Sequence, residues 1–389
     1  MLIKQKLFNL FFLITILFLN INVKAKNLNG SNTGSLATPQ CNFSTAVNKN
    51  KHSGSNTDSL ATPQSSSYFR NNITLDQYTK FWTQSQESLT PSLVTANTPY
   101  VYHWGNLNNK PKAIIFCIHG LTIHGYAYRG IGDFLASHDY LVICADQHGF
   151  GRFYNNLDKN LQDRKLEYYD VLNDFEILVK KIRKLYPSTK LFCMGESTGG
   201  HLTLRFGCKH PDLVDGLIIS SASMKTKIPK PSLLFGTGSQ ILRHPFGQID
   251  LTKFIGQTMS EDPKTVTERM NDPLGRNYLS IEEISKYLWL SARTKPFVNK
   301  IPADLPVLIL QGEIDSIYAP QGSIEIAKLL KSKDKTLKLL PNSGHVLLET
   351  KYIKPQTAQT ILTWLNKHCQ APATDTSLSL GDQHGKTND

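Results

Sequence analysis

The chain is predicted to fold as an α/β domain, a mostly parallel sheet with helices on both faces and a helical insertion. Three observations predict it. Short continuous apolar runs alternate with amphipathic segments. The runs lack the polar alternation of a sheet with one wet face, so helices are expected to cover both sides. One segment, 224 to about 303, interrupts the alternation and is too long for a structureless loop.

The strands are read in order as 113–118 (A-I-I-F-C-I), 141–145 (L-V-I-C-A), 191–194, 217–219, 307–310 and 336–340. Between them, Val171, Phe175, Leu178, Val179, Ile182 and Leu185 fall at helical spacing within 168–186. Shorter helical patterns cover 202–208, 323–330 and 357–368. The interrupting segment carries Pro229, Pro231, Pro263 and Pro273 beside apolar clusters at 233–235 and 287–290. It is expected to form a mainly helical cap over the C-terminal edge of the sheet, where open α/β sheets bind ligands.

Outside this domain, set at 68–369, the chain is not core material. Lys4 and Lys6, the apolar run 7–19 and Val23-Lys24-Ala25 have the three-part form of a cleaved export signal, residues 1–25. Secretion or release to a periplasm is therefore expected. Residues 26–67 are polar and hold a near-duplicate, S-N-T-G-S-L-A-T-P-Q at 31–40 and S-N-T-D-S-L-A-T-P-Q at 55–64. Such a leader cannot bury enough apolar area to order itself, and 370–389 has the same character. The formal net charge of +12 is dispersed, without the basic stripe and interleaved aromatics of a nucleic-acid site; scattered lysines that keep the protein in solution are the preferred reading, with peripheral contact with anionic lipid as the alternative. Cys117, Cys144 and Cys193 lie inside strand-like runs and read as buried thiols, while Cys41 and Cys369 lie outside the core and are free to pair. No C-x-x-C or H-E-x-x-H occurs, so no metal or other cofactor is expected.

Chemistry enters at Leu191–Gly200, L-F-C-M-G-E-S-T-G-G. Gly195-Glu196-Ser197-Thr198-Gly199 fits G-x-S-x-G, in which a nucleophile sits on a tight strand-to-helix turn that only flanking glycines permit. Ile118-His119-Gly120-Leu121 follows the strand at 113–118. An acyl-transfer oxyanion needs two N–H donors, here the backbones of Thr198 and Leu121. His119 is expected to buttress that turn. Leu308–Asp315 (L-I-L-Q-G-E-I-D) ends a strand with two acids, of which the shorter Asp315 is slightly favoured over Glu313. Pro341–His345 (P-N-S-G-H) puts a histidine on a loop past the last strand. The order Ser197, acid, His345 is that of α/β-hydrolases.

These motifs together resemble the monoacylglycerol lipase and lysophospholipase group of α/β-hydrolases. The likeness runs from about 97 to 367 and rests on I-H-G-L (118–121), A-D-Q-H-G-F-G (145–151), G-E-S-T-G-G (195–200), H-P-D-L-V-D-G-L-I (210–218), Q-G-E-I-D (311–315) and N-S-G-H (342–345). The resemblance implies the α/β-hydrolase fold, Asp315 rather than Glu313 as the acid, and oxyanion donors at Leu121 and Thr198. It also likens Asp272-Pro273-Leu274 to part of the cap. The chain departs from the pattern where many members have His and Met around the nucleophile and this one has Glu196 and Thr198. It departs again at Arg152-Phe153 and at Ile123. The implied activity is ester hydrolysis of lipids with one acyl chain. A short-chain esterase, a serine aminopeptidase using cap acids such as Glu261 and Asp262, and a catalytically silent binding protein are the competing readings.

Overall fold

The structure, a computed structural model, describes residues 93–369 except 96, 97, 99, 155–165, 244–246 and the side chain of Leu234. The export signal, the leader, the first part of the expected domain (68–92), Cys41 and the tail lie outside the described residues.

Seven strands form the main sheet: β1 (Val101–Trp104), β2 (Ile114–Ile118), β3 (Leu141–Ala145), β4 (Leu191–Glu196), β5 (Gly216–Ser220), β8 (Val307–Gly312) and β9 (Lys335–Leu340). Their order is β1-β3-β2-β4-β5-β8-β9, with β1 antiparallel to β3 and every other pair parallel. This is the mostly parallel sheet of an α/β-hydrolase.

Successive strand side chains go to opposite faces, and both faces are packed. Ile114, Phe116, Ile143, Cys193, Leu217 and Ile309 join one core with Phe175, Leu178 and Ile182 of the helix Tyr168–Leu185. Ile115, Cys117, Val142, Met194, Ile218 and Leu308 join the other with Ile131 and Leu135 of Arg129–Ala136 and Ile361 and Leu365 of Pro355–Cys369. Burial on both sides is why the runs read as unbroken apolar stretches. Cys117, Cys144 and Cys193 are buried free thiols.

Parallel register aligns the strand ends along one edge. Ile118 pairs with Gly195, Glu196 with Ser220, and Gly312 with Leu340. The loops that follow β2, β4, β8 and β9 therefore leave the sheet side by side.

Two elements had weak sequence signals. The edge strand β1 has only four residues, V-Y-H-W. The helix Arg129–Ala136 contains Gly130 and Gly132, poor helix formers. Packing explains both glycines. A Cβ on Gly132 would lie 2.4 Å from the Trp104 ring, and one on Gly130 would lie 2.2 Å from the Thr350 carbonyl oxygen.

Between β5 and β8 the chain forms helices at Pro231–Arg243, Thr252–Thr258, Pro263–Met270, Ile281–Ala292 and Lys295–Val298. It also forms a two-stranded antiparallel ribbon, β6 (Gln248–Asp250) with β7 (Tyr278–Ser280), which three-residue strands had not announced. This cap is clipped to the helix Thr198–Lys209: Arg205 donates to the Leu290 and Arg293 carbonyls, and His201 Nδ1 lies 2.8 Å from Thr294 Oγ1. A second tie runs beside the acid loop, where Lys227 N–H donates to the Ile317 carbonyl and Ala319 N–H to the Lys225 carbonyl, each at 2.8 Å.

Gly130→Ala sets two effects in opposition. Alanine favours the helix by about 1 kcal/mol. Its methyl group would drive against a backbone carbonyl, and overpacking of this kind costs about 1–3 kcal/mol or more. Urea unfolding should show net destabilisation. A stabilised variant would mean that the Thr350 loop yields freely.

Candidate active site

Ser197 sits between the end of β4 and the start of the helix Thr198–Lys209, with φ 56° and ψ −119°. A non-glycine residue there is strained by about 1–3 kcal/mol. The neighbouring glycines permit the turn. A Cβ on Gly195 would fall 2.3 Å from the Gly199 carbonyl oxygen, and one on Gly199 would fall 1.9 Å from that of Ile118.

The turn aims Ser197 at His345: Oγ lies 2.9 Å from Nε2, and His345 Nδ1 lies 2.9 Å from Asp315 Oδ2. An ionised carboxylate only accepts, so Nδ1 carries the proton and Nε2 presents its lone pair to the serine hydroxyl. Burial acts against the charge on Asp315. The His345 imidazole, the Tyr318 N–H and the Gln311 amide outweigh it and hold the carboxyl below its usual range. The amide of Gln311 donates to Oδ2 at 2.9 Å, and the N–H groups of Ile317 and Tyr318 donate to Oδ1 at 2.7 and 2.9 Å. Burial likewise pushes the His345 imidazole down, but Asp315 and, less strongly, Glu196 raise it above its usual value. Glu313 is exposed and takes no part.

Thr198 follows the serine at the start of the helix Thr198–Lys209, and Leu121 lies on the loop after β2. Among the described residues, neither backbone N–H donates a hydrogen bond within the protein. His119 is a buttress: Nδ1 lies 2.8 Å from the Gly120 carbonyl oxygen and Nε2 accepts from Gln147 N–H at 2.9 Å. Burial lowers its pKa to about 4, so it is neutral.

The cap holds the same turn. Thr122, next to Leu121, has φ 67°, and its carbonyl accepts from Arg276 N–H at 2.9 Å and Arg269 Nη2 at 2.7 Å. His124 Nε2 lies 2.7 Å from Asp272 Oδ2. Burial alone would raise the Asp272 pKa, but His124, Arg269 and the Leu274 N–H bring it to about 2. Asp272-Pro273-Leu274 had stood out in the sequence, whereas Thr122, Arg269 and Arg276 carried no pattern that marked them.

Two cap acids are already engaged. Glu261 Oε2 accepts the Gly344 N–H at 2.6 Å and its other oxygen pairs with Lys354. Asp262 caps the helix Pro263–Met270 through the N–H groups of Lys264 and Thr265. The apolar cap residues also divide. Leu290 belongs to the main core, and Leu288 packs on a small cluster of Ile241, Ile249 and Ile281. Trp289 meets the Tyr169 ring edge-on and has the Arg293 guanidinium over its face. Phe235 is 78% exposed.

Two outcomes test this geometry. Asp315→Asn should slow the reaction of Ser197 with a fluorophosphonate probe far more than Glu313→Gln, because only Asp315 holds the imidazole tautomer. Equal mild losses would reject it. Labelling should also fall as pH drops through a midpoint above 6.5, the ordinary imidazole value, since a protonated His345 cannot take the serine proton. A midpoint below 6.5 would contradict the raised imidazole.

A family model described as serine aminopeptidase, S33, matches residues 109–351, more than half of the chain. Monoglyceride lipase of Mus musculus is 26% identical over 267 residues, covering 66% of this chain and 83% of the relative. Monoglyceride lipase of Saccharomyces cerevisiae is 27% identical over 290 residues, covering 69% and 89%. The crystal structure of a soluble variant of the Saccharomyces cerevisiae monoglyceride lipase, in complex with a substrate analogue, has the same fold. It gives a TM-score of 0.57 at 24% identity and covers 70% of this chain and 91% of that one. A match that begins before β2 and ends beyond His345 leaves one assignment: the chain belongs to the serine aminopeptidase S33 family of α/β-hydrolases, as a monoacylglycerol lipase-like member.

Proposed function

We propose that the protein is an exported serine hydrolase that cleaves carboxylic esters of single-chain lipids, monoacylglycerols or lysophospholipids, through an acyl-enzyme. The observation that carries this reading is the Ser197–His345–Asp315 relay beside two unengaged backbone N–H groups. His345 Nε2 takes the serine proton as Oγ attacks the ester carbonyl. Leu121 and Thr198 N–H stabilise the oxyanion, and Asp315 stabilises the imidazolium. Collapse breaks the bond to the alcohol, which leaves with the proton from His345. Water, deprotonated by the same imidazole, then attacks the acyl-enzyme and releases the fatty acid and the free serine.

The lipid class rests on the relatives' named substrate and on the cap. Phe235 and Leu242, seven residues apart on the helix Pro231–Arg243, are 78% and 80% exposed, with Ile228 also exposed just before it. Lys225, Lys227, Lys230 and Arg243 flank them. Two helical turns separate the two side chains, so they share a face. This face suits peripheral contact with an anionic lipid surface. Among the described residues no helix is long and apolar enough to cross a membrane.

The family description also favours a second reading, an aminopeptidase. Such an enzyme needs an acid free to hold the substrate amine, and the engagement of Glu261 and Asp262 counts against those two.

A substrate panel decides among these readings. Turnover of monoacyl esters should rise from acetyl to medium or long chains, because each buried methylene contributes about 0.8 kcal/mol. Comparable rates on acetyl and dodecanoyl esters would favour a short-chain esterase, and release of N-terminal residues from peptides would favour the peptidase. The monoacylglycerol and lysophospholipid arms separate the two headgroups. Ser197→Ala should lose on the order of a millionfold in kcat. Phe235→Ser with Leu242→Ser should reduce sedimentation with anionic vesicles while sparing turnover of a water-soluble ester. The exported chain should begin near Lys26, and N-terminal sequencing that finds Met1 would refute the export signal.

A further inference from the structure

A second pair of acids joins the loops of the site from beneath. Glu196, directly before Ser197, is fully buried at the end of β4. Its carboxyl accepts four donors: Ser220 Oγ at 2.6 Å and the backbone N–H groups of Leu347, Leu348 and Glu349 at 2.9, 3.1 and 3.0 Å. Those three consecutive N–H groups begin two residues after His345, so Glu196 ties the histidine loop to the nucleophile strand. Glu349 is buried beside it, and its Oε1 accepts the Gly120 N–H at 2.5 Å, next to the oxyanion donor Leu121. The two carboxyls thus link the serine turn, the histidine loop and the oxyanion turn.

Their donor sets differ. Three N–H groups and one O–H converging on Glu196 make an anion site. Glu349 receives one N–H, from Gly120, with the Tyr128 hydroxyl beside it, fewer donors than Glu196 has, and a second buried anion next to Glu196 would be repelled by it. The groups facing His345 are Asp315, Glu196, the neutral His201 and the Tyr318 ring, whose phenol burial pushes well up. Those facing the two glutamates are His345, Tyr128, Arg269 and the buried thiols of Cys117 and Cys144, whose pKa values burial raises, besides one another.

We propose that Glu196 is a second positioning carboxylate for His345, ionised and stabilising the imidazolium formed during catalysis, while Glu349 is its protonated partner and holds the oxyanion turn. Burial raises both carboxyls. For Glu196 the bound donors and His345 offset part of that rise, and Glu349 goes well above the usual range. The inference rests on the serine–histidine reading above.

The readout is the titration of the His345 imidazole, followed by NMR of its ring protons. It requires no substrate, and the pH profile of fluorophosphonate labelling runs alongside it. Glu196→Gln should lower the His345 midpoint by about one pH unit, with about a tenfold loss in labelling rate. Glu196→Asp, which keeps the charge, should restore most of the midpoint. Glu349→Gln is neutral like the acid it replaces and should leave the midpoint in place. A midpoint that moves with Glu349→Gln and not with Glu196→Gln would overturn the assignment. If Glu196→Gln does not fold, carboxyl 13C resonances of the wild-type protein carry the test: Glu196 ionised and Glu349 protonated at pH 7 uphold the proposal, and Glu196 protonated at pH 7 overturns it. A protein inert to every lipid ester that still shows the shift would sink the ester reading and leave this one standing. A lipid hydrolase with an unmoved midpoint would do the reverse.

Discussion

The left-handed backbone of Ser197 is the constraint around which the site is organised. A side chain held at φ 56° between a strand and a helix resists relaxation only if its surroundings leave no room for another path. Here Gly195 and Gly199 have backbone atoms within 2.5 Å of where a Cβ would stand, and Gly200 has the Ala222 methyl at 2.6 Å. Close packing of the helix Thr198–Lys209 on β4, on the end of β2 and on Ala222 after β5 thus requires glycines, and the glycines allow the turn. Ser197 N–H donates to the Ser220 carbonyl at 2.9 Å, which fixes the turn to β5.

From that point the site is assembled by parallel register. Each loop leaves the same edge, so residues 118 apart in sequence, Ser197 and Asp315, come within reach of one imidazole. Asp315 is held by its own following N–H groups, which orient the carboxylate independently of the histidine. The cap acts on the other half of the site. Arg269, Arg276 and Asp272 pin the strained Thr122 turn and His124, so the turn after β2 is set partly by residues more than a hundred positions away.

The departures from the family pattern have physical counterparts. Arg152, one of the departures noted in the sequence, is buried with its guanidinium over the rings of Tyr100 and Tyr102. Its backbone N–H donates to Asp146, which also receives Gly125 N–H and Tyr102 hydroxyl. Asp146 therefore organises the loops after β2 and β3 together. Glu196 in place of histidine brings a buried acid that needs donors, and the loop at 347–349 supplies them.

Much of the fold and of the site was legible in the sequence because both depend on local rules. Strands covered on two faces must be continuously apolar, amphipathic helices must show their period, and a serine at a tight strand–helix turn must have small neighbours. Those rules mark β2, β3, β4, β5 and β8, only weakly the half-exposed edge strand β9, and they mark Ser197, His345 and the pair Glu313 and Asp315, between which local reasoning barely chose. Other features follow from distant packing and leave no local trace. The glycines of Arg129–Ala136 oppose helix propensity and are explained only by Trp104 and Thr350 pressing against them. Leu290 and Trp289 are adjacent apolar residues, yet one joins the core and the other packs outside it against Tyr169 and Arg293, since the helix's orientation decides which face is covered. Glu349 looks like any surface acid in a string of letters. Only the fold brings it against Glu196 and Gly120, because the partners of a buried charge are chosen by three-dimensional proximity and not by spacing along the chain.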